Sequence, residues 1–156
     1  MSSIVCATRG GEGSRAAQMA AIEIAKETDK PLLFLYVVDP HSLENEMDDS
    51  LKEAVRAELS WMGETLLRIA QKRADAAYLS TEVKIRRGYV REEIIQFVKD
   101  VEADVLVLGA PRGTTANVFG DDAIERLAEV IRQETAVSVE IVRPDYIHKM
   151  SESKTS

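Results

Sequence analysis

Two apolar runs of the chain are each followed by a short glycine-rich segment, and each of these segments contains an arginine. Glycine lets backbone amides approach a ligand, amides at a helix N-terminus attract anions, and guanidinium groups bind them with directed hydrogen bonds. The pattern therefore predicts a site for a small anion such as phosphate. The predicted contacts are Arg9, Gly10 and Gly11 after the first run, and Gly109, Arg112, Gly113, Thr114 and Gly120 after the later one.

A second interpretation of these segments needs no ligand. The glycines can serve tight turns alone, and the two arginines can pair with carboxylates close in sequence or on the facing loop, namely Glu12, Asp121 and Asp122. The Asp121–Asp122 pair has the oxygen chemistry for Mg²⁺, but acidic residues in a first helical turn usually interact with the helix dipole. We therefore predict no metal, and both interpretations of the arginines stay open.

The residue types give no support to an enzyme. The sequence has no Ser-His-Asp or Cys-His arrangement at a strand end, no phosphate-binding P-loop and no His/Glu cluster with metal-ligand spacing. The only cysteine, Cys6, lies in an apolar run, which excludes an internal disulfide and predicts a buried thiol. The expectation is a binding or regulatory protein, not a catalyst.

The overall charge restricts the partners. A formal net charge of −7 and a pI of about 5.0 repel nucleic acid phosphates and anionic membrane surfaces. The N-terminus has no basic segment followed by a long apolar stretch, and no segment reaches the length that crosses a bilayer. These features predict a cytoplasmic protein that binds neither nucleic acid nor membrane.

Apolar runs alternate five times with amphipathic helical patterns, which indicates a single parallel sheet with helices on both faces. We expect Ser14 to cap the first helix. The second helix should run from about Leu51 to Ala74, with Trp61 and Met62 as packing residues. The runs Leu32–Val38 and Val105–Leu108 are continuously apolar, as inner strands are, whereas Thr81–Arg86 and Val137–Ile141 alternate, as edge strands do. With right-handed crossovers this pattern predicts a doubly wound α/β fold with strand order 3-2-1-4-5.

The sequence resembles the universal stress protein family. The resemblance covers Ile4 to Arg143 and rests on the Gly-Ser-containing turn after the first strand, Tyr36–Val37–Val38, Arg87–Gly88, Asp104–Gly109 and the last strand. It implies an adenine nucleotide alpha hydrolase-like sheet, a homodimer formed along Val137 to Arg143, and a role in stress tolerance. It also implies ATP or AMP as possible cofactors and adds Val38 and Gly88 to the predicted ligand contacts.

The nucleotide motif of the family is altered in this chain. Nucleotide-binding members resemble Gly-x2-Gly-x9-Gly-Ser/Thr after strand four, whereas this chain has Gly109-x3-Gly113-x6-Gly120, followed by Asp121 in place of a hydroxyl. Arg9 stands where those members carry aspartate. The prediction is therefore a regulatory module with a degenerate crevice for a small anion, with a nucleotide-binding member as the alternative. A flavin-binding domain of related strand order is a third hypothesis.

We expect one domain over residues 1–144 and a flexible C-terminal tail over residues 145–156. The tail is polar and short of apolar residues, which does not favour a packed core.

Overall fold

The computed structural model describes residues 2–8, 11–39, 48–110 and 123–144. Strands and helices alternate along them. The strands are β1 (Ser3–Ala7), β2 (Leu32–Val38), β3 (Thr81–Arg87), β4 (Ala103–Gly109) and β5 (Ser138–Val142). The helices are α1 (Gly11–Thr28), α2 (Asp49–Ala76), α3 (Val90–Asp100) and α4 (Ala123–Glu134). The predicted tail, residues 145–156, lies outside the described residues, so the domain boundary stays a prediction.

The strands form one five-stranded parallel sheet in the order β3-β2-β1-β4-β5, which confirms the predicted topology. β1 is the central strand, where Ile4 pairs with Leu32 of β2 on one side and with Val105 of β4 on the other. All five residues of β1 are buried, whereas β3 has exposed or half-exposed residues throughout. The apolar and alternating runs therefore distinguished inner from edge strands correctly.

The side chains of the sheet divide between two hydrophobic cores. The first core joins Ile4, Cys6 and Phe34 to α1 and α2, and the second joins Val5, Leu35 and neighbouring residues to α3 and α4. Small residues of α1, such as Ala17 and Ala21, are fully buried and let the helix lie close to the sheet. The direction of winding reverses between β1 and β4, so the carboxyl ends of these two strands form the topological switch point.

Two local expectations are wrong. Ser14 does not cap the first helix, because α1 already begins at Gly11. Trp61 and Met62 are not interior residues, since 62% and 46% of their surfaces are exposed. The row of α2 that faces the sheet instead consists of Gly63, Leu67, Ala70 and Ala74, all buried. The predicted core face was therefore displaced around the helix axis.

Helix α2 is also longer than the predicted segment, which began near Leu51. Its N-cap is Asp48, whose side chain accepts a hydrogen bond of 2.8 Å from the backbone N–H of Leu51. An aspartate in this position satisfies one of the free N–H groups of the first turn, so the helix begins here.

Candidate functional site

A cavity of about 680 Å³ opens at the carboxyl edge of the sheet, on the face covered by α3 and α4. Its floor is formed by the last residues of β1, β2 and β4, and its sides by the first turns of α3 and α4. Both helices begin at this edge because each follows a parallel strand that ends there. The cavity therefore lies at the topological switch point, where ligands of open α/β sheets bind. We call it the switch-point cavity.

Most of the wall of the switch-point cavity is apolar. Leu35 and Leu108 come from neighbouring strands of β1, and Ile94 and Ile124 come from the two helices. All four belong to the hydrophobic core on this face and are at most 5% exposed. The short side chain of Ala7 on the central strand leaves room between them. Such walls suit a flat, weakly polar group, with orientation supplied by a few polar groups at the rim.

Within the described ranges, the charged residues of the rim are Asp39 after β2 and Arg91 and Glu92 in the first turn of α3, whose formal charges sum to −1. Tyr89, the N-cap residue of α3, also lines the cavity and is 51% exposed. Its side chain makes no capping hydrogen bond to the helix. The first turn of α3 thus has a partial positive charge from the helix dipole and acidic side chains that partly offset it.

Thr8, the residue after β1, is held in place from two directions. Its backbone N–H donates to the carbonyl oxygen of Leu35 at 2.8 Å, and its hydroxyl accepts a hydrogen bond of 2.7 Å from Nε2 of Gln18. Both side chains are almost fully buried. Since Thr8 lines the cavity, these bonds fix one part of its floor.

Arg73 of α2 continues this network by donating a short hydrogen bond to Oε1 of Gln18. Burial lowers the pKa of Arg73 below its ordinary value, and the positive charge of Arg15 lowers it further. Neither Gln18 nor Arg73 was predicted from the sequence. The signal was an amide side chain within the buried alanine row of the first helix, where an unpaired polar group is costly.

Three of the predicted ligand contacts fall within the described strands and loops, and one of them lines the cavity. Gly109 ends β4 and forms part of the wall. The carbonyl oxygen of Val38 accepts a hydrogen bond of 3.0 Å from the backbone N–H of Gly88. Neither Val38 nor Gly88 is among the lining residues, where Val37, Asp39 and Tyr89 appear instead. The latter three are cavity residues that the sequence analysis did not select.

The other predicted contacts cannot be placed around the cavity. Gly11 is the first residue of α1. The remaining six lie outside the described residues, so the predicted anion contacts stay predictions: Arg9, Gly10, Arg112, Gly113, Thr114 and Gly120.

The described part of the chain offers few side chains for metal binding or for thiol chemistry. Within residues 2–8, 11–39, 48–110 and 123–144, no three His, Cys, Asp or Glu side chains are grouped to hold a metal ion. Burial raises the pKa of the Cys6 thiol to about 12, so this thiol is protonated at neutral pH. Over the same residues, the helices include none with the length and hydropathy of a membrane span.

Comparison with known proteins gives a family match over most of the chain. Residues 1–143 match the model of the Universal stress protein family. Universal stress protein MJ0531 of Methanocaldococcus jannaschii is 29% identical over 106 residues, which are 68% of this chain. The match spans 62% of that relative, less than two thirds of its length.

Solved structures with low sequence identity share the fold. The universal stress protein UspA from Lactobacillus plantarum has a TM-score of 0.74 at 18% identity, over 91% of this chain and 97% of its own. A universal stress protein family protein from Arabidopsis thaliana, solved with AMP bound, has a TM-score of 0.64 at 18% identity, over 92% of both chains. The five-stranded fold is therefore shared by proteins from bacteria to plants.

Proposed function

Because this chain belongs to the universal stress protein family, we propose that it is a regulatory binding module of the stress response, acting in the cytoplasm without catalysis. The ligand is a small anion of mononucleotide type, held in the switch-point cavity, and adenosine monophosphate is the best candidate. The observation that carries this proposal is the cavity itself, which has apolar walls, a charged rim and a volume of about 680 Å³. Small-molecule sites commonly enclose about 300 to 1,000 Å³.

The composition of the wall favours an adenine ring over a bare phosphate ion. An inorganic anion gains nothing from Leu35, Leu108 and Ile124, whereas a purine buries its faces against such side chains. Tyr89 at the rim adds an aromatic side chain suited to stacking. The bound AMP of the Arabidopsis thaliana protein supports the same class of ligand.

The rim charge favours a monophosphate over a triphosphate. Among the rim residues that the structure describes, Asp39 and Glu92 outnumber Arg91, so each additional phosphate charge near them meets net repulsion. The altered loop sequence adds to this repulsion at one position, since Asp121 stands where the family motif has a hydroxyl. We therefore expect ATP to bind more weakly than AMP, and neither nucleotide to be turned over.

Calorimetry and thermal unfolding with AMP, ATP and inorganic phosphate test the proposal. AMP at one hundred times its Kd should raise the free energy of unfolding by about 2.7 kcal/mol. Tyr89→Ala should weaken AMP binding, whereas the matched variant Tyr78→Ala should not, because Tyr78 is 96% exposed and does not line the cavity. Absence of any stabilisation by AMP at low ionic strength would contradict the proposal, and a phosphate effect equal to that of AMP would exclude the adenine contact.

We also propose that the protein is a homodimer in which β5 pairs with its copy across a two-fold axis. β5 is an edge strand that combines buried Val139 and Val142 with exposed Glu140, and edge strands leave backbone groups available for pairing. Ile141→Lys should shift the sedimentation coefficient to that of a monomer, because pairing would bury the new charge. Val83→Lys on the other edge strand, β3, is the matched control and should leave the dimer intact. A monomeric wild type at micromolar concentration would refute this assembly.

A further inference from the structure

Helix α2 carries two apolar rows, and only one of them faces the sheet. The sheet-facing row is Gly63, Leu67, Ala70 and Ala74, which are all buried. The second row, which we call the outer seam, consists of Leu59, Met62, Leu66 and Ile69. Met62 and Ile69 lie about 120° around the helix axis from the centre of the sheet-facing row, at 100° per residue. Their exposed fractions are 46% and 40%.

The spacing of the outer seam is that of a coiled-coil interface. Its residues are separated by three, four and three positions, which is the a/d pattern of a heptad repeat. Val55 and Leu51 extend the apolar surface toward the N-terminus of α2, and Leu51 is 49% exposed. These side chains form a row on one helix, unlike apolar side chains scattered singly over a surface.

The charges beside the outer seam indicate what covers it. Glu58, Thr65 and Lys72 recur at intervals of seven residues along its solvent side, in the heptad position that flanks the seam. Glu58 and Lys72 are both exposed, and neither takes part in an ion pair within the described part of the chain. The order negative, neutral, positive is complementary to itself when a second copy runs in the opposite direction.

We propose that the outer seam is a self-association surface, on which α2 of a second copy packs antiparallel across a two-fold axis near Thr65. In this register Glu58 of each copy faces Lys72 of the other. Leu59 lies opposite Ile69 of the second copy, and Met62 lies opposite Leu66. A parallel arrangement would instead set Glu58 beside heptad position e of the other copy, which is the uncharged, sheet-facing Gly63, so Glu58 and Lys72 would not pair.

The expected association is weak and reversible. The seam has four residues on each copy, so the buried surface falls at the low end of specific interfaces, below about 1,200 Å². Such an interface acts when the local protein concentration is high. It is separate from β5, which lies at one edge of the sheet, whereas α2 covers β2 and β3 toward the other edge.

Charge reversal gives a direct test by sedimentation over a range of protein concentrations. Glu58→Lys or Lys72→Glu alone creates two like-charge contacts and should weaken self-association about tenfold. An equimolar mixture of the two variants should regain wild-type association, as should the double variant, because both restore opposite charges at both contacts. Glu64→Lys makes the same charge change on another side of α2 and should have no effect. The measurements should hold in the Ile141→Lys background, which separates them from pairing through β5.

Cross-linking tests the orientation independently. Thr65→Cys should be joined to its own copy by a short bismaleimide, whereas Arg68→Cys, which points away from the seam, should not. Native Cys6 is buried and does not interfere. Self-association that ignores both charge reversals would overturn the proposal, as would a mixture of variants that fails to recover, or equal cross-linking at positions 65 and 68.

Discussion

Gly63 is the point where α2 comes closest to the sheet, and replacing it with alanine tests how tightly the two layers are packed. A Cβ atom at this position would lie 2.5 Å from Cδ1 and 2.8 Å from Cε1 of the Tyr36 ring. Carbon atoms in good contact are about 3.5 to 4.0 Å apart. The ring or the helix must therefore move by roughly 1 Å to accept a methyl group.

The net effect of Gly63→Ala is the difference between two opposing free energies. Overpacking a close contact costs about 1 to 3 kcal/mol, whereas alanine in a helix interior is more favourable than glycine by about 1 kcal/mol. We expect a net destabilisation of about 1 kcal/mol. For a chain of this length that corresponds to a decrease in Tm of about 2 to 4 °C.

A double-mutant cycle with Tyr36 separates these two contributions. In the Tyr36→Val background the ring is absent, so Gly63→Ala should instead increase the free energy of unfolding by about 1 kcal/mol through helix propensity alone. In the Tyr36→Phe background the ring remains, and the substitution should still destabilise. Urea denaturation followed by circular dichroism measures all three. Equal effects in the Val and Phe backgrounds, within about 0.5 kcal/mol, would refute the argument from close approach.

Three further predictions concern the loop before α3, the buried thiol and the carboxylate of Asp100 at the end of α3. Gly88→Ala should lower the free energy of unfolding by about 1 to 3 kcal/mol in urea, because Gly88 has φ of 146° and an added Cβ would lie 2.9 Å from Cγ of Glu93. Native Cys6 should react with iodoacetamide only as fast as the protein unfolds, since burial holds its pKa at about 12. Hydrogen bonds from Arg86 and Gln96 lower the pKa of Asp100, so its ionised form favours the folded state above the ordinary carboxyl pKa, and this contribution disappears as the pH falls through the lowered value. Asp100→Asn should therefore destabilise at pH 7 and approach wild-type stability in acid.

The strand order could be predicted because strands buried on both faces are continuously apolar, whereas strands buried on one face alternate between apolar and polar residues. The continuous run of β2 is covered by helices on both sides, and the alternating run of β3 is not. The buried face of α2 was harder to predict, since residues 55–74 include two rows of apolar residues, and both rows have helical spacing. Periodicity alone cannot say which row meets the sheet, and it assigned the exposed Met62 to the core.

The positions of the site residues depended on information that the sequence pattern does not contain. Tyr89, Arg91 and Glu92 belong to a loop and a first turn that reach the cavity only because α3 starts at the same edge of the sheet as α4. These three residues are far along the chain from Thr8 and Gly109, so the sequence does not show that all of them line one cavity. It follows from the parallel direction of the strands and from the crossover of α3 onto the face shared with α4.

The contrast between Val37 and Val38 shows why a motif match is not enough to select a contact. Successive residues of a strand point to opposite faces, so Leu35 and Val37 lie with α3 and α4, whereas Phe34 lies with α1 and α2. The cavity is on the former face, and Val37 lines it. Val38 is buried and follows the other alternation, with its carbonyl oxygen already bonded to Gly88. Of these two neighbouring residues, Val37 thus lines the binding site, and Val38 supports the neighbouring loop through its backbone.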